Sequence, residues 1–111
     1  MFNVKEIGVQ DLAGLIEDKD RDVHVVDVRT PQEYRAGSID GVEHIPLHLI
    51  PLRFQELPKD RDLVFICRTG ARSAQATAFV TGQGMDNAVN LRGGLVDWVR
   101  NRLPLGLAQS A

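Results

Sequence analysis

Six consecutive residues, Cys67-Arg68-Thr69-Gly70-Ala71-Arg72, set the chain's one cysteine beside two arginines with a glycine between them. A turn of this kind leading into a helix points several backbone N–H groups inward and makes a nest for an anion. Gly70 lets the chain bend tightly without a Cβ clash. A sulfur in that nest faces the amides, a helix N-terminus and the guanidinium groups of Arg68 and Arg72, all of which favour the nucleophilic thiolate. The two arginines suit an oxyanion through paired hydrogen bonds, and the amides suit negative charge on sulfur. Cys67 is therefore the candidate nucleophile, and Arg68, Thr69, Gly70, Ala71 and Arg72 the candidate substrate-binding loop. An isolated cysteine is more often a small buried hydrophobe, but an inert one has no need of these neighbours.

Such a loop works only at a fixed edge of the fold. Leu63-Val64-Phe65-Ile66 has no polar alternation, which suits a central strand buried on both faces of a parallel sheet. Val23 to Val28 and Ala88 to Leu91 read as further strands, and Val4 to Ile7 as a short opening one. Val9, Leu12 and Ile16 recur at helical spacing after Gly8, with Asp11 in the first turn. A second helix is expected from about Arg72 to Thr81, with Ala76, Phe79 and Val80 toward the sheet and Gly82 or Gly84 ending it. A third follows Gly93-Gly94 and carries Trp98, and shorter helical turns start at Pro31 and near His48. Strands alternating with helices imply an α/β domain of three layers, a mostly parallel sheet with helices on both faces. Ligands bind such sheets at the carboxyl ends of the strands, where Cys67 falls.

The composition is that of one soluble domain spanning residues 1–111, with 43% hydrophobic and 25% charged residues. A net charge of -2 with scattered basic residues argues against nucleic acid as a partner. No apolar run is long enough to span a bilayer. The first residues lack a basic start followed by an apolar stretch, so a cytoplasmic location, where thiols stay reduced, is expected.

Cys67-Arg68-Thr69-Gly70-Ala71-Arg72-Ser73 resembles the active loop of the rhodanese-like family, Cys-Arg-x-Gly-x-Arg-Ser at the end of a central strand. The resemblance extends to Asp27-Val28-Arg29-Thr30-Pro31-Gln32-Glu33-Tyr34, Gly37-Ser38-Ile39-Asp40-Gly41, Ile45-Pro46, Leu57-Pro58-Lys59-Asp60, and a closing pattern through Gly84-Met85, Val89, Leu91, Gly93-Gly94 and Trp98. Ser38 stands where the family often has His, and Val42 and His44 where Ala and Asn are common. The resemblance implies a cofactor-free sulfurtransferase. Cys67 takes the outer sulfur of a thiosulfate-like anion, and the persulfide gives it to a thiol, to cyanide or to a small redox protein. Related folds serve phosphatases and arsenate reductases, whose loops place five residues between Cys and Arg; here only four separate Cys67 from Arg72. Other readings are a partner-binding or sulfur-delivery module without catalysis, and an oxidation-sensing thiol.

Asp27, Arg29 and Glu33 read as structural, capping a helix or tying loops, with Arg29 a lesser candidate for the anion pocket. His44 and His48 flank Pro46, which disfavours a helix presenting both, so no metal is expected; His24 is expected to pack within its strand. Trp98 and the leucines at 103, 105 and 107 are expected to pack across the sheet.

Overall fold

A computed structural model describes residues 2–106; Leu107 lies outside the described residues. The chain runs β1 (Glu6–Ile7), α1 (Val9–Glu17), β2 (His24–Asp27), α2 (Pro31–Arg35), β3 (Glu43–His44), α3 (Ile50–Arg53, between 3-10 turns at Leu47–Leu49 and Phe54–Glu56), β4 (Leu63–Ile66), α4 (Ala71–Gly82), β5 (Ala88–Leu91) and α5 (Gly94–Arg100). The five strands form one parallel sheet in the order β1-β5-β4-β2-β3.

Strand β4 is central because all four of its residues are apolar and buried. Their alternation divides the core. Leu63 and Phe65, with Cys67 continuing their period, face one cluster with Val26, Ile50, Ala76 and Val80; Val64 and Ile66 face the other, with Val9, Leu12, Leu95 and Trp98. Helices α3 and α4 cover the first face, α1 and α5 the second.

Several sequence expectations shift in detail. Val9 and Leu12 are buried, but Ile16, at the end of α1, is 40% exposed and lies in a shallow cleft with Trp98 and Leu103. Phe79 packs on the β4 core cluster as expected and also meets Phe54 edge-on, with ring centroids 5.4 Å apart. The amides of Gly84 and Met85 close α4 on the carbonyls of Thr81 and Val80, so Gly84 rather than Gly82 marks its end. Strand β3 has no counterpart in the sequence reading: two polar residues before a proline carry no strand signal, and the pairing is made by the edge of β2, with Ile45 N–H donating to Asp27 O. His24 is half-buried and paired with Glu43 at 2.8 Å across that edge. Trp98 packs as expected and donates its indole N–H to Pro104 O, Leu103 joins the core, and Leu105 is exposed.

The chain leaves β2 for β3 on one side and reaches β4 and β5 on the other. The sheet therefore reverses its winding between β2 and β4, which is where ligands bind in open parallel sheets.

Candidate active site

Cys67 follows β4 at this switch point and is 1% exposed. Its Sγ accepts from Gly70 N–H at 3.1 Å, Ser73 N–H at 3.3 Å and the Ser73 hydroxyl at 3.2 Å. Three donors thus converge on one recessed sulfur. Two of them come from Ser73, which sequence reasoning left outside the binding loop; its place directly after Arg72 in the motif was the available signal.

The loop keeps its shape because its carbonyls are tied to β5 and to the segment that follows it. Leu95 N–H donates to Cys67 O at 2.9 Å and Val96 N–H to Arg68 O at 3.0 Å. The Asn90 side-chain amide donates to Gly70 O at 3.2 Å, and that oxygen also takes the first helical bond of α4, from Ala74 N–H. In a planar trans peptide the N–H points opposite to the C=O. Holding these three carbonyls toward β5 and α5 therefore turns the amides of Arg68, Thr69 and Ala71 the other way. Gly70 has φ +102°, and a Cβ there would sit 3.3 Å from Leu91 O. Gly94 has φ +58°, and a Cβ there would come within 2.5 Å of Arg68 O. The Gly93-Gly94 pair is thus a close approach between two loops as well as a strand-to-helix turn.

The arginines behave differently from each other. Arg68 and Thr69 are exposed, and Arg68 makes no side-chain hydrogen bond or ion pair among the described residues. Arg72 instead grips Glu33 with both terminal nitrogens, at 2.6 and 2.9 Å. This holds the Glu33 carboxyl down at about 2, the Arg72 hydrogen bond being the largest cause, and raises Arg72 further above its already high value. Glu33 also closes a capping box with Thr30 at the start of α2. The structural reading of Glu33 was therefore incomplete: it anchors Arg72. A guanidinium has five N–H donors, so Arg72 keeps others for a ligand.

Arg29 does not reach the loop. Its Nε and Nη2 fold back on Asp27, Nη2 also meets Gly37 O at 2.6 Å, and the Ser38 hydroxyl donates to Asp27 at 2.7 Å. Ser38 and His44, two of the three departures from the family pattern, serve this scaffold: His44 bonds Arg29 O and stacks on Tyr34 at 4.3 Å. Among the described residues no three His, Cys, Asp or Glu side chains gather to hold a metal, and no helix is long and apolar enough to cross a membrane.

Comparison with known proteins agrees with this geometry. The family model described as "Rhodanese-like domain" matches residues 8–101. The chain is 47% identical to a protein from Allochromatium vinosum named "Sulfurtransferase", covering 92% of this chain and 94% of that one. It is 35% identical to the thiosulfate sulfurtransferase GlpE of Pseudomonas entomophila over 77% of each chain. Among solved structures, a rhodanese-related protein from Thermoplasma volcanium superposes with a TM-score of 0.84 at 32% identity, covering 93% of this chain and 98% of that one.

Proposed function

This chain belongs to the rhodanese-like family of sulfurtransferases, and from that premise we propose that it moves a sulfane sulfur from thiosulfate, or a donor of similar charge, through a persulfide on Cys67. In the first half-reaction Sγ attacks the outer sulfur of the donor. The new S–S bond forms as the old one breaks, and sulfite leaves with the electron pair. In the second, a thiol or cyanide attacks the outer sulfur, and the pair returns to Cys67. Arg68 and the remaining donors of Arg72 hold the donor's oxygens, and the amides of Arg68 to Arg72 stabilise charge as it moves between sulfurs. No cofactor enters this balance.

The observation that carries the reading is the convergence of the Gly70 and Ser73 donors on Sγ. The name of the Pseudomonas relative supports thiosulfate as donor. The short spacing to Arg72 supports sulfur over phosphate, since a tighter loop makes a smaller cradle.

Two assays run in parallel test this: sulfite released from thiosulfate in the presence of cyanide, and hydrolysis of p-nitrophenyl phosphate. Sulfite release that disappears in Cys67→Ser, with no Cys67-dependent ester hydrolysis, is the expected outcome. Ester hydrolysis that needs Cys67, without sulfite release, would replace this reading with a phosphatase.

A further inference from the structure

We propose that the cleft beside Arg72 is the acceptor subsite, that it takes a small thiol with an apolar body, and that His48 receives the thiol proton. This rests on Cys67 carrying a persulfide. The cleft has a volume of about 320 Å³ and lies at the switch point of the sheet, walled by Val28 after β2, Pro46 and Leu47 after β3, and Arg72 after β4. Two of its walls neighbour the Cys67 strand end: Val28 N–H donates to Ile66 O and so stands beside Cys67 in the parallel register, and Leu47 packs on the same core cluster as Cys67.

Its chemistry is lopsided. Val28, Pro31, Pro46 and Leu47 give it apolar walls, and only three lining side chains are polar: Thr30, His48 and Arg72. The Thr30 hydroxyl is committed to the Glu33 capping box, and Arg72 gives two donors to the Glu33 carboxylate and keeps the rest for the sulfur donor's oxygens. His48 is exposed and makes no hydrogen bond among the described residues. Cyanide and sulfite have no body to fill apolar walls, whereas an alkyl thiol has both a body for them and a proton to lose. The step balances without an oxidant or reductant. The thiol gives its proton to His48 and its sulfur bonds to the outer sulfur of the persulfide. The bond to Cys67 breaks with its electron pair returning to Sγ, and R–S–SH leaves.

Ethanethiol, 1-propanethiol and 1-butanethiol ionise alike and differ in body, so they probe the cleft in the unmodified protein. Cys67 is first loaded with thiosulfate and loading is confirmed by intact mass; KM is read from steady-state turnover with each thiol, and single-turnover discharge of the isolated loaded protein is compared between the thiols and sulfite. KM is expected to fall about two- to fourfold with each added methylene, as burial of about 0.8 kcal/mol per CH₂ or part of it requires. His48→Gln, an exposed change that leaves the core intact, is expected to lower the single-turnover discharge rate with the thiols about tenfold more than with sulfite. A KM independent of chain length overturns the apolar subsite, and an equal loss with thiols and sulfite in His48→Gln overturns the proton role. Absence of loading before any thiol is added overturns the persulfide reading itself, and this proposal with it.

Discussion

Two neighbouring strand ends each bury a group able to carry negative charge, and the protein treats them in opposite ways. At the end of β2, Asp27 is fully buried and closed by a counter-ion: Arg29 folds back on it through side chain and backbone, and the Ser38 hydroxyl completes its shell. One strand over, Cys67 is equally buried, but its partners are neutral amides and a hydroxyl; Arg72 is held by Glu33, and Arg68 points outward without a partner among the described residues. An anion neutralised by a contacting arginine has little left to give a reaction. On the proposed reading, a sulfur met by neutral donors, with Arg68 and the remaining donors of Arg72 left for the incoming substrate, remains a nucleophile. Asp27-Val28-Arg29 and Cys67-Arg68 look alike as an acidic group followed by arginine; the folded arrangement separates scaffold from chemistry.

The sharpest way to break this contrast is to remove the counter-ion from the scaffold end. Arg29→Ala leaves Asp27 as a buried, uncompensated carboxylate and should cost about 3–5 kcal/mol of stability, read from urea denaturation. A cost under about 1 kcal/mol would mean that Asp27 does not depend on Arg29. At the other end, Gly94→Ala drives a Cβ into Arg68 O and should displace the Cys67 loop. A shift of this kind is worth about a hundredfold in rate, so sulfur loading should slow by that order while circular dichroism still reports a folded chain. Unchanged loading would show that α5 does not set the loop.

The smallest effect concerns the tie between the two regions. Glu33 has its folded value depressed from 4.5 to about 2, chiefly by Arg72. Its contribution to stability is therefore fully present above pH 4.5 and is lost as pH falls toward 2. Urea midpoints of the wild type should drop more steeply than those of Glu33→Gln across that window. The two curves running parallel would argue that Arg72 is not anchored by Glu33 in solution.

Much of this was readable from the sequence, for local reasons. The all-apolar run of β4, the helical spacing of Val9 and Leu12, and the Cys-to-Ser motif are each contained within a short window. What escaped is what joins distant windows. Glu33 and Arg72 are 39 residues apart, and Asn90 meets Gly70 across 20, so no spacing pattern links them. The Leu95 and Val96 amides that hold the loop's carbonyls arise only once β5 is paired with β4. Strand β3 owes its existence to the neighbouring edge of β2 and not to its own residues.

The most direct measurement is the intact mass of the protein and of Cys67→Ser after thiosulfate, and again after cyanide. The account predicts that the protein gains one sulfur atom, that cyanide removes it, and that Cys67→Ser gains none. A gain that persists in Cys67→Ser, or no gain in the unmodified protein, would contradict a persulfide held by the Gly70 and Ser73 donors.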